Sequence, residues 1–245
     1  MRKPRRFTPE ELAPFQWQMP LTRRSGAWGV GAKPAEGTES APPPTAATID
    51  WAALFGNANP VEVEVGMGKG LFLLNSATGR PDTNFFGIEI VRKYQLYATS
   101  RFAVRELTNA KTVCADAGWV FQKFVTTGSV SAVHVYFPDP WWKARHKKRR
   151  VFSPRFAAEA ARITRVGGRL LIATDVEEYF GVMTGIVRSM PAYRELGSET
   201  STGSLEQAGY QTNFERKARQ KGTPVCRAQF ERTAGPVTVA TDPAS

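Results

Sequence analysis

Cysteine and histidine are both scarce in this chain: two of each among 245 residues, Cys114 and Cys226 with His134 and His146. Two thiols cannot build a disulfide framework, and with two imidazoles they make no convincing zinc site, so no metal is expected and a reducing cytoplasm fits best. Long hydrophobic runs are missing too. The apolar residues, 42% of the chain, fall in short stretches far below the roughly 20 that a membrane helix needs. The opening MRKPRRF is basic, but no apolar h-region follows it, so neither a membrane span nor a secretory signal is expected. The apolar content still suffices for a full globular core in one or two domains.

Negative charge is in deficit, and the deficit is local. Lys and Arg number 33 against 22 Asp and Glu, a net charge of +11. Six of the basic residues lie in KARHKKRR (Lys143, Arg145, Lys147, Lys148, Arg149, Arg150) and four in the first six positions (Arg2, Lys3, Arg5, Arg6); without those ten the balance is +1. A nearly neutral body with two concentrated basic segments points to a polyanionic partner, nucleic acid first, against the alternative of a solvated face and a basic tail. Aliphatic residues are also lacking near the start, where Val30 is the only branched one between 22 and 48. Such a Gly/Pro/Ala-rich stretch cannot offset its own conformational entropy, so residues 1–48 read as a flexible arm with a docked turn near 15–21. The folded domain is expected over 49–232, with 233–245 as a tail.

What is present from Val61 onward is a regular alternation. Short apolar runs at 61–65, 85–90, 112–115, 132–137, 169–174 and 226–232 read as strands, and amphipathic stretches at 69–77, 91–107, 117–125, 154–165 and 176–189 read as helices. Ser153 and Pro154 suit the N-cap and N1 positions of the fourth helix, and Gly167 and Gly168 read as its stop. Strand followed by helix followed by strand implies parallel pairing through right-handed crossovers, hence a doubly wound α/β sheet. The residues after about 200 read as a closing antiparallel pair.

Acidic residues recur where these strands end. Glu64, Glu89, Asp116 and Asp139 are spaced by 25, 27 and 23 residues, and Asp175 follows the fifth strand. In an open α/β sheet that edge binds the ligand, although Asp116 and Asp175 taken singly read equally well as helix caps. The first strand runs into GMGKG, whose Gly66, Gly68 and Gly70 permit a tight turn and close approach of a ligand, while Leu71 breaks the dinucleotide pattern GxGxxG. Glu64 beside that turn would repel a pyrophosphate and suit a cationic amino group. Glu89 is placed to accept both hydroxyl hydrogens of a ribose. Together they describe a nucleoside without phosphate and with positive charge, which S-adenosylmethionine satisfies.

The fourth strand ends in YFPDPWWKARHKKRR. Two prolines are expected to hold Asp139 in a stiff extended turn beside Trp141 and Trp142, an arrangement suited to orienting a flat base that stacks while the acid accepts its N–H groups. The alternative is an exposed loop with packed tryptophans. His134 reads as a core histidine and His146 as surface charge.

EVGMGKG, GIEI, the PDPWWKARHKKRR block, ATDVEEY and the late TNFE together resemble the bacterial tRNA (guanine-N7-)-methyltransferases, a class I S-adenosylmethionine-dependent family, over about residues 60–232. The resemblance implies a mostly parallel seven-stranded sheet. By this likeness Glu64, Gly66, Glu89, Asp116 and Asp139 are cofactor positions, with Asp139 also the catalytic acid residue, and Lys143, Asp175, Thr212, Asn213, Phe214 and Glu215 are substrate contacts. Within the last stretch Phe214 also reads as core packing that fixes the turn, and Glu215 as a surface pair with Arg216 or Lys217. Met67 stands where the family often has an aromatic residue, Trp142 replaces a commoner His or Pro, and the segment before Ile49 has no counterpart. The activity implied is methyl transfer to N7 of a guanine in tRNA, that of the variable loop in the family's usual pattern. Lys143 and Arg145 to Arg150 would hold RNA phosphates. Rival readings are an exocyclic-amine methyltransferase of the N6-adenine kind, because PDPW is reminiscent of NPPY loops, and a noncatalytic RNA-binding module on the same scaffold. A monomer and a homodimer are equally compatible with the sequence.

Overall fold

The computed structural model describes residues 7–20, 48–141, 150–201 and 212–237. Helices α1 (Pro9–Leu12) and α2 (Trp51–Phe55) precede the alternating series β1 (Val61–Val65), α3 (Leu71–Gly79), β2 (Asn84–Glu89), α4 (Arg92–Val104), β3 (Ala110–Cys114), α5 (Ala117–Phe124), β4 (Val130–Tyr136) and α6 (Pro154–Ile163). The chain continues through β5 (Thr164–Thr174), α7 (Glu177–Arg188), β6 (Tyr193–Ser201), α8 (Asn213–Gln220) and β7 (Val225–Arg232). One sheet holds all seven strands in the order β3-β2-β1-β4-β5-β7-β6. The first five pair in parallel, and β7 runs antiparallel to both of its neighbours. Strand order reverses between β1 and β4, and in a doubly wound sheet that switch point opens a crevice at the carboxyl edge.

Period-two alternation in β1 decides which face each residue serves. Val61, Val63 and Val65 enter a core with Phe86, Ile88, Phe121, Phe124, Val133 and Val135 under α5, α6 and α7. The other face carries Glu62 and Glu64, and a second core there gathers Phe72, Leu73, Phe85, Ala98, Phe102 and Tyr136 under α3 and α4. Phe72, Phe102 and Phe121 are almost wholly buried, and each contributes about 1.5–3 kcal/mol by leaving water. Ser153 caps α6 through the N–H of Phe156 with Pro154 in its first turn, as the sequence suggested.

Three expectations change. The fourth helix ends at Ile163, and Gly167 (φ +78°) and Gly168 lie inside β5 instead of stopping the helix. There the register against β4 shifts between Val130 and Ala132, and a Cβ on Gly168 would stand 2.7 Å from the Ser131 carbonyl oxygen, so these glycines accommodate a bulge. The antiparallel pair begins earlier than 200, because Tyr193–Ser201 is already β6. Paired on one side only and mostly exposed, that edge strand has no apolar alternation to announce it. Within the arm, residues 7–20 pack on the domain. Thr8 and Glu11 form a capping box around α1, Gln16 bridges Thr112 in parallel, and the Trp17 N–H donates to the Thr112 carbonyl at 2.9 Å. The Trp17 indole meets Phe124 edge-on at 5.1 Å, so this strap covers the otherwise open β3 margin of the sheet.

Candidate active site

From Val65 the chain turns through Gly66 (φ +70°), Gly68 (φ +53°) and Gly70 (φ +64°), all in the left-handed region that favours glycine. Gly70 is further constrained by close packing, since a Cβ there would lie 2.7 Å from the Ala98 Cβ on α4. At Gly66 and Gly68 a Cβ would point into open space, which leaves the backbone approachable. Met67 is buried and its sulfur lies against Gly87, where an added Cβ would stand 2.2 Å away; the thioether thus fills the space under the turn.

Glu89 at the end of β2 fastens this turn. One carboxylate oxygen accepts from the Gly68 N–H at 2.8 Å and the other from the Val91 N–H at 2.8 Å. Each oxygen retains a second lone pair for a further donor. Glu64, on the same sheet face, is only 3% exposed, and its Oε2 makes no hydrogen bond among the described residues. Burial, reinforced by the charge of Glu89, pushes its pKa up to about 8. A buried carboxyl group with an unused acceptor calls for a cationic or donor-rich partner.

Glu62, two residues earlier, has the opposite surroundings. The Arg80 guanidinium grips it with two bonds of 2.7 and 2.9 Å, and His134 Nε2 lies 2.9 Å from its other side. Burial acts to raise its pKa, but His134 and Arg80 hold it down to about 2. His134, 2% exposed, is the core histidine expected, with its Nδ1 2.9 Å from the Tyr136 hydroxyl. Because ionised Glu62 can only accept, a neutral imidazole carries its proton on Nε2 and accepts from Tyr136 at Nδ1.

Glu64, the Gly66–Lys69 turn, Phe72, Tyr136, Thr212 and Phe214 line a small cleft open to solvent. Four of the expected site residues (Glu64, Gly66, Thr212 and Phe214) therefore meet there, and Glu89 joins through Gly68. Phe72 and Tyr136 are lining residues that sequence reasoning misses; two polar rings, His134 and Tyr136, on one face of an otherwise apolar strand are the available signal. Phe214 does not serve as core packing. It is 53% exposed, its ring stacked on Phe137 at 6.1 Å, because α8 presents it towards the cleft and not the sheet. Thr212 caps α8 by accepting from the Glu215 N–H at 3.0 Å, and Asn213 opens that helix. Glu215 is not the exposed surface residue of the alternative reading. It is 2% exposed and bonded to Arg227 on β7, across the core.

Asp116, Asp139 and Asp175 stand exposed along the same sheet edge without lining the cleft. Asp116 accepts from the Trp119 N–H at 2.8 Å as the N-cap of α5. Around Asp139 the turn is bent where a stiff extended one was expected: Phe137 (φ +50°) and Trp141 (φ +40°) are left-handed on either side of Pro138-Asp139-Pro140. Left-handed backbone at two bulky residues is strained, and it persists where surroundings hold it. Arg150 provides part of that hold, donating from Nε to the Pro140 carbonyl at 2.6 Å while its guanidinium lies 4.8 Å from the Tyr179 ring centroid. One of the six basic residues assigned to RNA thus has an internal task. Trp142, Lys143, Arg145, Lys147, Lys148 and Arg149 lie outside the described residues. Among the described residues no cluster of three or more His, Cys, Asp or Glu could hold a metal, and no helix is long and apolar enough to cross a membrane.

A family model described as a putative methyltransferase matches residues 58–228. The chain is 45% identical over 194 residues to a tRNA (guanine-N(7)-)-methyltransferase of Rhodopirellula baltica, covering 76% of this chain and 71% of that protein. It is 33% identical over 186 residues to the protein of the same name in Aliivibrio fischeri, covering 76% and 78%. Among solved structures it is similar to a 30S ribosomal A1408 methyltransferase from an uncultured bacterium, with a TM-score of 0.52 at 15% identity over 74% of this chain and 92% of that one. The [4+2]-cyclase SpnF gives 0.52 at 13% identity over 73% and 77%. At such identities the likeness concerns the fold, which is that of the class I methyltransferases.

Proposed function

The chain belongs to the tRNA (guanine-N7-)-methyltransferases, and from that premise we propose how its residues carry a methyl group from S-adenosylmethionine to N7 of a guanine in tRNA, the variable-loop guanine by the family's usual pattern. The observation that carries the reading is the buried Glu64 carboxyl with its unused oxygen at the floor of the glycine turn. It fits the ammonium group of the cofactor's amino-acid end. Glu89 fits the ribose, accepting hydroxyl hydrogens on the lone pairs that Gly68 and Val91 leave free, and the open side of Gly66 and Gly68 admits the ligand to the backbone. Asp116 at the next strand end suits the base of the cofactor. When bound, the cofactor supplies an electrophilic methyl group on a sulfonium.

The chain's own part is alignment and electrostatics. Guanine N7 has an in-plane lone pair and no proton, so its attack needs no general base, only a fixed line of approach. Asp139, held in its bent turn by the Arg150 anchor, can receive donors of the base and stabilise the positive charge that develops on the ring. Phe214 and Phe137 offer a stacked aromatic surface beside the cleft, and Asp175 and Thr212 with Asn213 supply further polar contacts. Glu215 supports that region through its pair with Arg227. Lys143, Arg145, Lys147, Lys148 and Arg149 hold phosphates, which gives affinity without sequence information.

Mass spectrometry of nucleosides from tRNA incubated with the protein and isotope-labelled cofactor tests this directly. Label in 7-methylguanosine is the expected result. Label in N6-methyladenosine, or none in any nucleoside, would overturn it.

A further inference from the structure

Helix α4, on the side of the glycine turn away from the fourth strand, carries no acidic residue along its whole length. Lys93, Tyr97 and Arg101 follow one another at four-residue spacing, so they form a slowly turning row about 12 Å long, and Arg105 is the C-cap that ends the helix. Tyr97 is 52% exposed and Tyr94 beside it 41%. Lys69, which lines the cleft, places its ammonium 5.6 Å from the centre of the Tyr97 ring, and the Arg101 guanidinium lies 6.0 Å from it. Arg101 also donates to the Lys69 carbonyl at 3.0 Å, tying the row to the turn. The row is therefore continuous with the cleft.

The helix dipole favours Arg101 and Arg105 at the carboxyl end of α4, but it does not account for the amino end. Arg92 and Lys93 occupy the first turn, where the helix dipole disfavours cations, and no side chain caps that end. Tyrosines about half exposed contribute little to a core. Cations interleaved with exposed aromatic rings are, by contrast, the chemistry that holds unpaired nucleotides, with phosphates on the charges and a base on the ring.

We propose that the α4 row is a second RNA-binding surface, which takes the phosphodiester backbone and one unstacked base of the tRNA on the side of the cleft away from the end of the fourth strand. This rests on the reading of the protein as a tRNA methyltransferase. Charge complementarity selects the occupant: a row with cations and no acid suits a polyanion, and the exposed rings favour nucleic acid over an acidic protein. The tRNA then spans the cleft from both sides, so that two weak attachments position one guanine.

Two sets of variants test it, with tRNA binding followed by anisotropy as a function of salt. Lys93→Ala combined with Arg105→Ala removes two charges, one in the first turn of α4, where alanine is a strong helix former, and one at its C-cap. Binding should weaken about tenfold near physiological salt, and the log-log salt slope should flatten by roughly one unit for each phosphate no longer held. Tyr97→Ala should weaken binding about tenfold with an unchanged salt slope, and Tyr97→Phe should restore it, since stacking needs the ring and not the hydroxyl. Calorimetric affinity for S-adenosylmethionine should stay within about twofold of wild type in all of them, which certifies the fold. Full tRNA affinity and slope in the charge variant, or equal losses in Tyr97→Ala and Tyr97→Phe, would overturn the proposal while leaving the methyltransferase reading intact. Failure of the wild-type protein to bind or methylate tRNA would remove both.

Discussion

Glu62 and Glu64 are the same residue type on the same face of the same strand, two positions apart, and they behave oppositely. Below the sheet edge, Glu62 is enclosed by Arg80 and His134 and held near pKa 2. At the edge, Glu64 is more deeply buried, has an unused oxygen, and sits near pKa 8. At Glu62 both carboxylate oxygens are matched, and the group serves the fold. At Glu64 one oxygen is unmatched, which is what the proposed ligand role requires. Capacity to bind here is a polar debt that the fold itself declines to settle.

The comparison breaks most sharply at Glu62. Glu62→Ala strands His134 inside the core and should destabilise the protein by about 3 kcal/mol, at the low end for a broken buried pair because Arg80 is partly exposed. Thermal unfolding should show a lowered midpoint, with cofactor affinity at permissive temperature little changed. Asp139→Asn should do the reverse. Its unfolding midpoint should match wild type, while the single-turnover rate at saturating cofactor should fall about 100-fold or more, as when a group that stabilises transition-state charge is removed.

Glu89 belongs to both regions, since it fastens the Gly68 turn and is the group proposed to receive the ribose. Glu89→Ala should weaken S-adenosylmethionine at least about tenfold by calorimetry and also lower the unfolding midpoint, whereas a change in only one of these would place it wholly in one region. Glu64 gives the most specific effect, one that shows itself as a dependence on pH. Its native pKa near 8 lies above the ordinary value of 4.5, so between those values the native state keeps a proton that the unfolded chain has lost. Stability should therefore fall as pH rises from 4.5 to 8 and level off above. Cofactor affinity should rise by about tenfold per pH unit between roughly 5.5 and 7, with a proton released on binding that Glu64→Gln abolishes. Titrations in buffers of different ionisation enthalpy would count that proton.

Much of this is legible in the chain because burial on both faces imposes simple patterns. β1 alternates strictly, β2, β4 and the second half of β5 are mostly apolar, and carboxylates recur at or just beyond the ends of these strands. The edge strand β6, paired on one side, carries no such pattern. Nothing local separates Glu62 from Glu64, since the difference comes from His134, 72 residues away, and Arg80, 18 residues away. Arg150 is legible as charge and not as the anchor of the Asp139 turn, for a guanidinium looks the same in sequence whether it meets a phosphate or the Pro140 carbonyl. Glu215 likewise is buried and bonded to Arg227 on another element, which its place in the TNFE stretch does not announce.

The strap formed by residues 7–20 has a consequence for assembly. It leaves the ribosome well before its partners Thr112 and Phe124, which are made about a hundred residues later. During synthesis Trp17 waits without a seat until β3 and α5 exist, and β3 exposes its free margin until the strap returns. A segment made before the sheet thus docks only after β3 and α5 are complete, and its arrival closes the interval in which nascent chains could pair edge to edge.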